Sequence, residues 1–257
     1  MKVCVLASGS AGNSIFVQQG ITKVLVDAGL AGKRIEERLQ AVGVDGSELQ
    51  ALVVTHEHSD HIHGVGVLAR RYRLPVWMTR GTYEGSKRIF RGRERIRIIV
   101  NDEDFDIGDL HFQPFSISHD AIDPVNYVVK SEQSTLGIAT DMGTVTQLVY
   151  QRIRDADLVV METNYDRDLL MNGPYPWDLK KRISSNRGHL ANDRAADTLC
   201  RLAGDGLQQA VLAHLSEKNN RPDLAEQVCR EDLRARGVNQ FMLSVARQER
   251  PSQIFII

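Results

Sequence analysis

The chain has 257 residues, 42% of them hydrophobic and 25% charged, which suits a globular protein with a sizeable core and excludes disordered, collagenous and disulfide-rich classes. A formal net charge of −1 gives no overall pull on polyanions, so any affinity for nucleic acid has to come from a local patch. No stretch approaches the roughly 20 apolar residues that span a bilayer, and the apolar run at the start falls short of a secretory h-region of about 7–15 residues.

In chain order, short apolar runs at 3–6, 15–17 and 24–26, separated by Gly, Ser and Asn, predict an opening strand meander. Ile35, Leu39 and Val42 then share one face of a charged segment, which predicts a helix stopped at Gly43. A β-branched run over 51–55 ends at a histidine cluster and is followed by a helical pattern over 65–72, so the cluster lies on a strand-to-helix loop. Further strands are predicted at 76–78, 96–100, 111–116, 127–130, 136–140, 158–161, 210–213 and 253–257, and helices at 193–202 and 222–236. Alternating strands and helices give an α/β class, and the many adjacent strands in both halves favour two sheets in a sandwich within one domain over 1–257. Cys4, Cys200 and Cys229 are odd in number and far apart, which argues against disulfides or a thiolate zinc site and points to a cytoplasmic protein.

His56, His58, Asp60 and His61 fall within six residues directly after a strand. Imidazole with carboxylate suits zinc, manganese or iron, and three imidazoles crowded without a metal would repel one another when protonated. Three remote residues, His119, Asp141 and His214, each stand where a predicted strand stops, the edge at which a sandwich presents side chains together.

The order Asp27, His56-x-His58-x-Asp60-His61, His119, Asp141, His214 resembles the ordered motifs of the metallo-β-lactamase superfamily, and the αββα sandwich of two mixed sheets with flanking helices is the fold that resemblance implies. Within it the chain is most similar to the YycJ (WalJ) group of bacterial nucleases, through residues 7–14, 55–61, 173–177, 188–190 and 214–220. The resemblance implies two divalent metal ions. His56, His58 and His119 would hold one, Asp60, His61 and His214 the other, with Asp141 between them and Asp27 orienting a ligand from behind. Asp60 would also accept a proton from the attacking water. A turn cap is the alternative role for Asp27.

Glu162 and His189 resemble the pair that protonates the departing oxygen in phosphodiesterase members such as ribonuclease Z; local capping is the alternative. Ser8, Asn13, Asn164, Tyr165, Asn219 and Asn220 are candidate substrate contacts. Residues 70–97 carry ten Lys or Arg against Glu84 and Glu94, and Lys180, Lys181, Arg182 and Arg187 form a second basic group; either is a phosphate track or a solvated face. Trp77, Tyr83 and Phe90 offer rings within the first group. Together these features imply a DNA exonuclease, 5′ to 3′ by resemblance, acting in repair. A glyoxalase II-like thioester hydrolase and a non-catalytic metal-binding regulatory module are the alternatives.

Overall fold

Strands form where β-branched and apolar residues run between Gly, Asn and Asp turns. The computed structural model describes Met1–Ile257 and groups them in two compact units, the first from Met1–Ser116, Ala121–Ser134 and Arg247–Ile257, the second from Ile117–Asp120 and Thr135–Ala246.

The first unit opens with an antiparallel meander of β1 (Lys2–Ala7), β2 (Ser14–Gln19) and β3 (Thr22–Val26). Helix α1 (Gly32–Ala41) buries Ile35 and Leu39 as the periodicity predicts, and Gly43, at φ 76°, lets the chain leave the helix in a left-handed turn. Next come β4 (Ala51–Val53), the one-turn α2 (Ser59–Ile62), α3 (Val65–Tyr72), β5 (Pro75–Thr79), α4 (Arg80–Ser86) and β6 (Arg95–Ile99). Strands β3 to β6 pair in parallel. An antiparallel set follows: β7 (Phe105–Ile107), β8 (Leu110–Ser116) and β9 (Val125–Lys130). Phe16, Leu25, Leu52, Leu68 and Met78 are fully buried in one core cluster, each side chain contributing about 1.5–3 kcal/mol by leaving water.

The second unit is a parallel β/α run. Its elements are β10 (Thr135–Ala139), α5 (Gln147–Ile153), β11 (Leu158–Glu162), α6 (Arg167–Asn172), α7 (Trp177–Ile183), α8 (Asn192–Gly204), β12 (Gln209–Ala213), α9 (Pro222–Ala235) and β13 (Met242–Val245). Strands β10 to β13 pair side by side in order, all parallel, so their C-terminal ends share one edge. The last strand, β14 (Phe255–Ile256), returns to the first unit and pairs antiparallel with β1. Over the whole chain the strands make two mixed seven-stranded sheets with flanking helices, the expected class. No helix is long and apolar enough to cross a membrane.

Candidate metal centre

In the first unit the ligand loop grows out of two parallel strands. Asp27 follows β3 in a left-handed conformation, φ 60°, which turns its carboxylate across the end of β4. Its Oδ1 accepts the Thr55 N–H at 2.9 Å; its Oδ2 accepts the Thr55 hydroxyl at 2.8 Å and His61 Nδ1–H at 2.7 Å. All three residues are buried. A carboxylate on Nδ1 fixes the tautomer and leaves the Nε2 lone pair for a ligand bond. His56, fully buried, sits with Nδ1 3.0 Å from Thr55 Oγ1, and its ring lies 4.7 Å from that of His58 and 4.1 Å from that of His61. Asp27 is thus a hydrogen-bonded support behind the histidines.

The loop is braced by close backbone approach. Asn13 N–H donates to the Asp60 carbonyl and Gly29 N–H to the Asn13 carbonyl, each at 2.8 Å. A Cβ on Gly29 would stand 1.6 Å from the Asp60 carbonyl oxygen, so only glycine fits. Asn13, a candidate substrate contact, is buried here: its Oδ1 accepts Gly9 N–H at 2.9 Å and its Nδ2 lies 3.3 Å from Asp60 Oδ2. Ser8 is buried too, its N–H donating to the Arg247 carbonyl at 3.2 Å.

In the second unit the parallel strand ends present Asp141, Glu162 and His214. Asp141 and His214 again take left-handed backbone, φ 56° and 55°, a conformation costing about 1–3 kcal/mol and concentrated at functional sites. Glu162, the last residue of β11, is completely buried. Its Oε1 accepts Nδ1–H from His189 at 2.8 Å and from His214 at 3.0 Å; its Oε2 accepts the backbone N–H groups of Met142 at 2.8 Å and Leu190 at 3.3 Å. Burial opposes ionisation most strongly, but the charges and hydrogen bonds of His189 and His214 outweigh it and hold the carboxyl below its ordinary range.

His119 Nδ1 donates to the Gly188 carbonyl at 3.2 Å, and its ring lies 5.3 Å from that of His189. Gly188 is held close: a Cβ there would lie 2.2 Å from the Arg182 and Ile183 carbonyl oxygens. In His61, His119 and His214, then, Nδ1 is committed to a protein acceptor, and in His61 the other ring nitrogen, Nε2, lies 3.2 Å from Asn13 Nδ2. The contact between Glu162 and His214, which joins residues 52 apart in the chain, escapes sequence reasoning; only the burial implied by a strand-end Glu hints at it.

The donor chemistry of each unit fits metal ions. Within the second unit Asp141, Glu162, His189 and His214 each bring a ligand atom within 4.8 Å of the others; within the first, three imidazoles and a carboxylate stand on one loop, and neither group contains a thiolate. Such a set suits zinc, manganese or iron.

The remaining candidates serve the frame. Asn164 Nδ2 donates to the His214 carbonyl at 2.7 Å, Tyr165 is buried against Leu170 and Ala191, Asn219 N–H donates to Ser216 Oγ at 3.2 Å, and Asn220 Nδ2 donates to the Thr163 carbonyl at 2.8 Å. The first basic run is partly neutralised: Arg70 pairs with Glu94, Arg71 with Glu36, Lys87 with Glu84, and Arg95 donates to the Arg73 carbonyl. Trp77 is stacked on Phe105, ring centres 4.8 Å apart, and so is no platform for a base. In the second run, Arg182 pairs with Asp120 and Arg187 donates to the His119 carbonyl at 3.2 Å.

A sequence profile of the Beta-lactamase superfamily domain matches residues 22–215. The exodeoxyribonuclease WalJ of Streptococcus pneumoniae is 38% identical over 230 residues, 87% of this chain and 85% of that one. The exodeoxyribonuclease YycJ of Bacillus anthracis is 37% identical over 241 residues, 91% and 89% of the two chains. Among solved structures, the metallo-β-lactamase fold protein YhfI of Bacillus subtilis superposes with a TM-score of 0.75 over 98% of each chain at 17% identity, a likeness of fold. The histidine-rich strand ends, the two mixed sheets and these relatives agree: the chain belongs to the metallo-β-lactamase superfamily of metal-dependent hydrolases, in its WalJ/YycJ-like group.

Proposed function

We propose that this protein is a DNA exonuclease that hydrolyses phosphodiester bonds at a two-metal centre. His56, His58 and His119 would hold one ion and Asp60, His61 and His214 the other, with Asp141 available to either. Support comes from the relatives' activity and from the nitrogen and oxygen donors at successive strand ends. When bound, the metals supply Lewis-acid polarisation of the phosphate and an activated water. The protein's own part is orientation and proton transfer. Asp27 and Glu162 fix histidines from behind, and Asp60 accepts the proton of the attacking water.

The observation that carries the phosphodiester reading is the His189–Glu162 pair. An alkoxide is a poor leaving group and needs a proton. The buried Glu162 carboxylate accepts Nδ1–H and so fixes the ring with Nε2 facing outward, and a side chain 23% exposed can, when protonated there, deliver the Nε2 proton to the departing oxygen. After transfer the ring is neutral, with Nδ1–H still on Glu162. The 5′ to 3′ polarity and a place in DNA repair follow from the family resemblance. Manganese- or zinc-loaded protein should shorten end-labelled DNA from the 5′ end, and Asp60→Ala should not. Failure of the loaded protein on both single- and double-stranded DNA, with Asp60→Ala indistinguishable from it, would overturn the proposal.

A further inference from the structure

We infer that Trp177 and its basic neighbours form a stacking platform for a base of single-stranded DNA, an inference that rests on the nuclease reading above. Trp177, the first residue of α7, is 59% exposed, and no residue of that helix is buried. Folding alone does not account for so large an open indole, because the adjoining Tyr175 and Ile183 already pack on the Leu170–Ala191 cluster. Lys181 Nζ stands 5.5 Å from the indole centroid, while Lys180 Nζ donates to the Met171 carbonyl at 2.7 Å. Asp178 is the only acidic residue of this helix, and Asp120 is paired with Arg182.

The chemistry selects the partner. An exposed ring with cations beside it binds bases by stacking and phosphates by charge, without regard to sequence. A base within a duplex has both faces covered and cannot use it, so the ligand is single-stranded or frayed. Trp177 lies about 7.5 Å along the helix axis from Arg182, whose guanidinium pairs with Asp120, next to the proposed ligand His119. Arg187 donates to the His119 carbonyl. Lys181, four residues on and on the same face of the helix, offers its ammonium to the phosphate of a base stacked on Trp177.

Two tryptophans make this directly testable, since Trp77, half-buried, is already stacked on Phe105. Oligo-dT titrated into full-length protein in EDTA, which stops cleavage, should quench tryptophan emission; Trp177→Phe should abolish the quenching yet bind within about threefold by fluorescence anisotropy, because a phenyl ring still stacks. Trp177→Ala should weaken binding by about tenfold. Lys181→Ala should lower the slope of log affinity against log salt by about one ion. Equal affinity for Trp177→Ala and the parent, equal quenching by blunt duplex, or tighter binding of oligo-rU than oligo-dT would each overturn the inference. Melting temperatures matching the parent show that the variants are folded. The two readings fail separately: quenching in a protein that cuts no DNA removes the nuclease reading, whereas cutting with unaffected emission removes the platform alone.

Discussion

His189 Nδ1 donates to Glu162 Oε1 at 2.8 Å, the imidazole partly exposed and the carboxylate fully enclosed. A proton donor whose position is set from the buried side can be removed without touching a metal ligand. His189→Ala should therefore keep its metal content, read by elemental analysis, while DNA cleavage falls by about 10²–10⁴. Undiminished cleavage would take His189 out of the mechanism, and turnover of a glutathione thioester surviving the substitution would favour thioester chemistry.

Glu162→Gln should be more damaging than its near-identical shape suggests. One side of the carboxylate accepts two imidazole N–H groups and the other accepts the N–H groups of Met142 and Leu190. An amide places NH₂ against one of those donor pairs whichever way it is turned. Metal affinity should drop about 10–100-fold, the usual cost of losing a ligand's support, and activity should stay low when metal is saturating because His189 is also misplaced. Full recovery at high metal would confine Glu162 to a single histidine.

Asp141 separates backbone strain from ligand chemistry. Its φ of 56° suits glycine far better than alanine. Asp141→Gly and Asp141→Ala should lose metal alike, yet the metal-free Gly variant should be more stable by about 1 kcal/mol in urea denaturation. Equal midpoints would mean that the turn relaxes when the carboxylate goes.

The thiols give a pH prediction. Burial pushes the Cys229 thiol up to about 12; burial and a hydrogen bond to Asp232 push Cys200 up to about 11. Both raised values favour the protonated folded form, so their contribution to stability is complete below the ordinary thiol value of 9.0 and is lost as pH rises from there through the folded values. Native protein at pH 8 should resist iodoacetamide at both sites, whereas denatured protein reacts. Rapid native labelling would contradict the enclosure.

Much of this was legible in the sequence because the signals were local. The run from His56 to His61 is contiguous, and β-branched stretches marked most strands within a residue or two. Strands β7 and β13 escaped for lack of pattern: in Met242–Val245 only Leu243 is buried and the two residues after it are half-buried, so no alternation appears. Helices α4 to α7 are six or seven residues long and carry few buried positions, too short for a stripe to declare itself. At the site, the asparagines read as substrate contacts because amides are versatile; what the sequence did not show is that Asn13, Asn164 and Asn220 also bond backbone groups near strand ends. The basic run at 70–97 looked more cationic than it is because one neutralising partner, Glu36, lies well outside that window.

The left-handed residues Asp27, Asp141 and His214 mean that handedness of the main chain, rather than choice of rotamer, aims these groups. Within each unit the direction in which these side chains leave the main chain is thus set by the fold itself, before any ligand binds.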